Sequence, residues 1–170
     1  MFWVAQFLAL VICIISSVSY LSKRKETYLA EQFFVNVLYC AQYLILGAIS
    51  GAIGNVISLV KYVVFYYNAK KGKKNPKWQA ILFCAISIVL GCLALDGWHT
   101  LIPIVTAVVF TFAVWQDNPI VLRAIVIFCS ILWIIFNVVV GAYVSAVYSG
   151  VELIFALVTM VKLLMGSKKV

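Results

Sequence analysis

The sequence predicts an all-α, polytopic membrane protein with seven transmembrane helices, arranged as two parallel three-helix bundles joined by a linker helix. Three observations lead to this prediction. Of the 170 residues, 66% are hydrophobic and 11% are charged, whereas a soluble domain has roughly 45–50% apolar and about 25% charged residues. The apolar residues form seven long runs. The second and third runs resemble the sixth and seventh at an offset of 94 residues.

Each apolar run approaches the length of a helix that crosses the bilayer, which needs about 20 largely apolar residues. Because lipid offers no hydrogen-bond partner to the backbone, a helix is the expected structure. We place the spans at 2–21, 29–47, 51–68, 78–95, 99–115, 120–140 and 144–165. No basic residue precedes the first span, and a basic cluster follows it, so we interpret it as a permanent helix rather than a signal peptide.

The basic residues, which give a net charge of +8, lie mainly in alternate connections. They follow the first, third, fifth and seventh spans at Lys23–Lys25, Lys70–Lys77, Arg123 and Lys168–Lys169. This positive-inside pattern predicts that the N-terminus lies outside and the C-terminus in the cytoplasm. Lysines at the ends of spans indicate topology and contact with anionic headgroups, so the lipid bilayer is the expected partner and nucleic acid is not.

The internal repeat is visible residue by residue. The corresponding pairs are Asn36 and Ser130, Tyr43 and Asn137, Gly47 and Gly141, Ala48 and Ala142, Ala52 and Ala146, Asn55 and Ser149, and Ser58 and Glu152. A single helix between two triplets leaves both triplets in the same orientation. We therefore predict a first bundle at 1–68, a cytoplasmic linker and inverter helix at 69–98, and a second bundle at 99–170.

Enzyme and metal motifs are missing from the sequence. All five cysteines lie inside spans without a CxxC pair, and His99 is the only histidine, so neither a metal site nor a disulfide framework is expected. There is no Ser/His/Asp set, no pair of carboxylates, no glycine-rich phosphate loop and no HExxH motif. Asp96 lies one helical turn from His99, but an isolated pair is weak ground for acid–base chemistry. We expect no enzymatic activity and no cofactor.

Polar side chains recur at helical spacing inside four spans, where they are costly unless they face a bundle interior or a water-filled path. The stripes are Asn36, Cys40, Tyr43 and Gly47; Asn55, Ser58, Tyr62 and Tyr66; Ser130, Trp133, Asn137 and Gly141; and Ser149, Glu152, Ala156 and Thr159.

Amides and hydroxyls both donate and accept hydrogen bonds, and aromatic faces add an apolar platform. These groups together predict a site for a small polar solute such as a sugar, a nucleoside or a vitamin-like molecule. The residues predicted to bind it are Asn36, Asn55, Ser58, Asn137, Ser149 and Glu152. The alternative interpretation is that the polar groups bond to one another between helices.

Two charged residues fall well inside spans: Lys61 near the middle of the third, and Glu152 about two turns into the seventh. A lone charge at a helix centre costs about 2.5–3.5 kcal/mol on insertion scales. We therefore predict that both face a shared polar interior, as an ion pair or as proton-coupling groups. The alternatives are that Lys61 snorkels toward the cytoplasmic face and that Glu152 is exposed at the outer mouth.

A family resemblance is carried by apolar motifs along nearly the whole chain. They are WVAQ at Trp3–Gln6, GAIGNVISLV at Gly51–Val60, and IPIVTAVVFTFAVW, WIIFNVVVGAYVSA and SGVELIFALVTMVK between Leu101 and Lys162. These motifs resemble the YgjV family of bacterial inner-membrane proteins, which is similar to the wider MtN3-like group of SWEET sugar transporters, PQ-loop proteins and PnuC vitamin transporters. The resemblance implies two three-helix bundles joined by a linker helix, with the N-terminus outside the bacterial inner membrane.

In SWEET-like transporters an asparagine on the third helix of each bundle touches the substrate. The resemblance implies that role for Asn55, whereas its repeat counterpart, Ser149, departs from the pattern. The expected function is therefore a small-solute facilitator or secondary transporter with a midplane site, and homo-oligomerisation is left open. The alternative is a non-transporting membrane interaction or sensor protein with a packed polar core.

Overall fold

The computed structural model describes residues 1–19, 25–95, 97–115 and 118–166, which are all-α. The helices are α1 Phe2–Ser19, α2 Lys25–Ile45, α3 Ile49–Lys70, α4 Lys77–Leu93, α5 Leu101–Trp115, α6 Pro119–Val139 and α7 Tyr143–Gly166, with a 3-10 turn at Trp98–Thr100. The all-α prediction is confirmed, and each helix agrees with its predicted span to within about one turn. Five residues used in the predictions lie outside the described ranges: Lys23, Arg24, Asp96, Lys168 and Lys169.

Three helical segments are long and apolar enough to cross a membrane by length and composition: Ile49–Lys70, Ile120–Val139 and Tyr143–Met165. Three shorter apolar helices are Phe2–Ser17, Lys77–Leu93 and Trp98–Ala113. α2 is more polar than the other helices because it contains several charged and amide side chains between Lys25 and Ile45. The number of seven crossings, and the placement of the two chain ends, stay predictions.

Helix contacts follow the order that two equivalent three-helix groups require. The hairpins α2–α3 and α6–α7 make the most extensive contacts, and α1 packs on α2 as α5 packs on α6. Between the groups, α1 contacts α7 and α3 contacts α5, again in corresponding positions. α4 packs beside α3 and α5. This arrangement supports the division into 1–68, 69–98 and 99–170, which stays a prediction.

The turns of the two hairpins have the same geometry. Gly47 and Gly141 adopt φ angles of +73° and +77°, in the left-handed region that glycine enters without a Cβ penalty. In each turn the N–H of the following alanine donates to a carbonyl five residues earlier, at 2.9 and 2.8 Å, as in a Schellman helix end. Because these turns are counterparts in the predicted repeat, their shared geometry supports it.

Gly91 sets the distance between α4 and α5. A Cβ atom built at this position would overlap Cγ1 of Ile104 and lie 2.7 Å from its Cδ1 atom. The two helices therefore meet at a contact that only glycine fits, as is common where membrane helices approach closely.

We expect Gly91→Ala to lower the apparent melting temperature of the purified protein in detergent, because the added methyl group must displace the Ile104 side chain. Such overpacking typically costs about 1–3 kcal/mol. Gly150→Ala is the matched control, since nothing lies within 4 Å of a Cβ there and alanine favours a helix over glycine. An unchanged melting temperature for Gly91→Ala would contradict the close α4–α5 contact.

Candidate functional site

A cavity of about 140 Å³ lies between the helices. Its wall is formed by α1, α2, α3, α5, α6 and α7, and none of its described lining residues belongs to α4. Many lining residues are pairs at the repeat offset. These pairs are Gln32 and Val126, Val35 and Cys129, Asn36 and Ser130, Tyr39 and Trp133, Tyr43 and Asn137, Gly54 and Tyr148, Asn55 and Ser149, and Ser58 and Glu152.

Every residue predicted to bind solute lies in the wall of this cavity, and so does Lys61, which was predicted for coupling. The predicted binding residues are Asn36, Asn55, Ser58, Asn137, Ser149 and Glu152. They come from α2, α3, α6 and α7, so the fold brings residues from both ends of the sequence around one volume. Their role in binding stays a prediction.

A chain of hydrogen bonds connects α2, α6 and α7 at one end of the cavity. The Tyr43 hydroxyl donates to Oδ1 of Asn137 at 2.7 Å. Nδ2 of Asn137 lies 3.5 Å from Oγ of Ser149, whose hydroxyl donates to the Ser145 carbonyl at 3.0 Å. Nε2 of Gln42 donates to Oγ of Ser145 at 2.9 Å. These buried bonds join the two hairpins.

Three aromatic rings form a stacked row in the same wall. The Tyr39 and Tyr43 centroids are 5.8 Å apart, the Tyr43 and Trp133 centroids are 6.0 Å apart, and each pair is inclined by 14°. Phe136 is fully buried and packs edge-on against Tyr43 and Trp133, with centroids at 5.6 and 5.4 Å. Stacking of this kind is favourable, and it places apolar side chains beside the amides in the cavity wall.

Asn36 and Asn55 each use one N–H on their own helix. Nδ2 of Asn36 donates to the Gln32 carbonyl at 2.8 Å, and Nδ2 of Asn55 donates to the Gly51 carbonyl at 2.7 Å. A side-chain amide has two N–H donors and an acceptor oxygen. Each asparagine can therefore hold its position through one bond while offering further hydrogen bonds to an occupant of the cavity.

Glu152 places a carboxylate in the wall on the α7 side, and it is half-buried. The Ser130 hydroxyl donates to its Oε2 at 3.4 Å. These two residues are the counterparts of Ser58 and Asn36, which line the cavity from the first half. Of these four residues, the two from the first half are neutral, and one of the two from the second half carries a carboxyl group.

Lys61 is buried, with 1% of its surface exposed, which excludes snorkelling to the protein surface. Its ammonium donates to Oγ1 of Thr111 at 3.4 Å and lies 5.7 and 5.6 Å from the ring centroids of Tyr62 and Phe110. A cation above an aromatic face gains about 2 kcal/mol when desolvated. Of the two relations predicted for Lys61 and Glu152, the ion pair is not formed within the described part of the chain, and the proton-coupling role stays a prediction.

Several wall residues were not predicted because they lie on α1 and α5, where we recognised no polar stripe. They are Ser16, Pro103, Thr106 and Phe110. Pro103 occupies the first turn of α5. The Thr106 hydroxyl donates to the Ile102 carbonyl at 2.9 Å, so the helix itself satisfies this residue. The spacing of Thr106 and Phe110, one turn apart, is the signal that could have identified this wall.

We expect Tyr43→Phe to lower the apparent melting temperature, because it leaves the buried Oδ1 of Asn137 without its donor. An unsatisfied buried acceptor costs about 1–3 kcal/mol. Tyr67→Phe, at an exposed tyrosine of α3, is the matched control. The double variant Tyr43→Phe/Asn137→Ala tests whether the two side chains are coupled. If its loss of stability equals the sum of the losses in the two single variants, the side chains are not coupled, and the hydrogen bond between them is contradicted.

Comparison with known proteins adds one finding on family membership. Residues 3–166 match the family model named Imp-YgjV and described as a bacterial inner membrane protein. No curated protein and no solved structure matches the chain. Because the match extends over nearly all of the 170 residues, the chain belongs to the YgjV family of bacterial inner membrane proteins.

Proposed function

We propose that this inner-membrane protein is a facilitator or secondary transporter of a small polar solute, which binds in the cavity between the two three-helix groups. The observation that carries the proposal is the composition of the cavity wall. All helices except α4 contribute to it, and amides, hydroxyls and aromatic rings from matched positions of both halves meet there. Sites between repeats near the bilayer midplane are typical of secondary transporters.

The hydrogen bond between Tyr43 and Asn137 supports a two-fold relation between the halves. These residues are counterparts in the repeat, and they bond directly to each other at 2.7 Å. Counterparts can touch only where they lie close to the axis that exchanges the halves. An axis along the membrane normal is the relation expected of parallel repeats, as in the SWEET-like arrangement that the resemblance implies.

A closed gate at one end of the cavity is part of the proposal. Tyr43, Phe136 and Asn137 are almost fully buried and lie toward the hairpin turns at Gly47 and Gly141. Rocking of one three-helix group against the other would separate this layer and open the cavity toward the turns. In the alternating-access cycle we assign the structure to the state closed at this end.

The alternative function, a non-transporting interaction or sensor protein, requires a packed polar core. A cavity of about 140 Å³ at the centre of the polar residues favours transport instead.

Outward-facing apolar residues such as Ile154 and Phe155 suit contact with lipid. Transport needs neither a catalytic set nor a cofactor, and we propose neither for this chain.

We expect the purified protein in liposomes to take up at least one solute from a panel of sugars, nucleosides and vitamins. Asn55→Ala should reduce that uptake about tenfold, because one hydrogen bond to the solute is worth about 0.5–1.5 kcal/mol and about 1.4 kcal/mol is tenfold in affinity. Ser58→Ala should reduce it less. Ser17→Ala, at an exposed serine of α1, is the control. Absence of uptake and binding for the whole panel would refute the proposal.

We expect Glu152→Gln to abolish any stimulation of uptake by an imposed proton gradient, while exchange of solute at equal pH continues. The amide keeps the shape of the side chain but cannot take up a proton. Lys162→Met, which removes an exposed charge from the same helix, should leave the stimulation intact. Uptake by Glu152→Gln that still responds to the proton gradient would exclude Glu152 from coupling. A Lys61→Ala variant with full transport and normal pH dependence would exclude Lys61 from coupling.

A further inference from the structure

We propose that the solute is a hydroxylated monocarboxylate of the sugar-acid type, and that its carboxylate binds the ammonium of Lys61. This inference rests on the proposed transport function and specifies its substrate class. It begins from a buried cation that lines the cavity and is not paired with an anion among the described residues.

The Lys61 ammonium has hydrogen-bonding capacity left for an occupant of the cavity. It carries three N–H donors. The hydrogen bond it makes in the described part of the chain is to Oγ1 of Thr111 at 3.4 Å. The Thr111 hydroxyl donates its own hydrogen to the Ala107 carbonyl at 2.6 Å, so its oxygen can only accept from Lys61. Two ammonium donors are therefore left for a solute.

The surroundings of Lys61 favour an anion as that solute group. The nearest rings, Tyr62 and Phe110, stabilise the cation through their faces but accept no strong hydrogen bond. A buried charge is costly unless it is paired and hydrogen-bonded. A carboxylate would supply both, through short charge-assisted bonds. One ammonium matches one negative charge, so a monocarboxylate fits better than a phosphate with two charges.

The charge of Lys61 is a feature of one half of the molecule. Its counterpart at the repeat offset is Phe155, which is 62% exposed on the outer face of α7. Glu152 likewise has an uncharged counterpart, Ser58. The contacts that recur at corresponding positions of the two halves therefore do not require either charge. Together they give the cavity one positive and one negative position, which would attract a carboxylate to Lys61 and repel it from Glu152.

The rest of the wall fits a hydroxylated ring. The aromatic side chains of Tyr39, Tyr43 and Trp133 line the cavity and offer apolar contact to the C–H side of a pyranose, and the neighbouring amides and serines offer partners for its hydroxyls. The cavity volume of about 140 Å³ is close to that of an engineered cavity of about 150 Å³ that takes up one benzene ring. This volume limits the occupant to a single ring, and Lys61 and the polar wall residues favour a ring that carries hydroxyls and one carboxylate. Lys61 then binds solute, and Glu152 is left as the coupling residue.

Glucuronate against glucose, and galacturonate against galactose, test this inference because the members of each pair differ only in a carboxylate or a hydroxymethyl group at one carbon. We expect the full-length protein in liposomes to bind and transport each acid at least tenfold better than its sugar. Lys61→Met should remove that preference, and Lys61→Arg, which keeps the charge, should retain most of it. Lys162→Met, at an exposed lysine, should not change it.

The outcomes separate this inference from the proposed function. Equal uptake of acid and sugar by the wild-type protein would overturn the inference and leave transport standing. A preference for the acids that survives in Lys61→Met would overturn the role of Lys61. If benzoate competes as well as glucuronate, the sugar-acid class is wrong. If no solute of any kind binds or enters, both proposals fall. If Lys61→Met does not fold, the ratio of acid uptake to sugar uptake by the wild-type protein decides whether the inference stands.

Discussion

The hydrogen bond between Tyr43 and Asn137 is the contact around which the two helical hairpins are arranged. It satisfies two polar groups that would be costly in hydrocarbon, and it does so between counterparts of the two halves. Two contacts beside it also correspond to each other at the repeat offset. Gly51 lies against the ring of Phe136, and Ser145, the counterpart of Gly51, is bonded to Gln42, the counterpart of Phe136. One hydrogen bond at the centre and one pair of contacts beside it therefore define how the hairpins meet.

Much of the fold could be predicted from the sequence because the bilayer limits the choices. Helices are required wherever the backbone enters lipid, so apolar runs give their positions. Polar residues spaced at three or four positions share a helix face, and lipid forces that face inward. For this reason stripes such as Asn55 with Ser58, and Ser149 with Glu152, converge on one cavity.

The remaining features depend on contacts that the sequence does not record. Thr106 and Thr111 donate to carbonyls of their own helix, so an isolated threonine gives no sign of which way its helix faces. Opposite charges suggested that Lys61 pairs with Glu152. The fold instead surrounds the Lys61 ammonium with a threonine hydroxyl and two rings, an environment set by the packing of α3 against α5. Charge alone predicts attraction, but geometry decides which groups can meet.

A cavity built from two equivalent halves would accept a solute in either of two orientations, because each binding group would have a copy across the axis. The neutral wall residues come close to that condition, since most are paired by the repeat. Lys61 and Glu152 break it, because the counterpart of each is uncharged. Under the proposed transport function, the matched residues would hold the halves together and exchange contacts as they rock, while the two unmatched charges would give a bound solute a single direction. In that proposal the symmetry of the wall supplies the movement, and the two unmatched charges supply the selectivity.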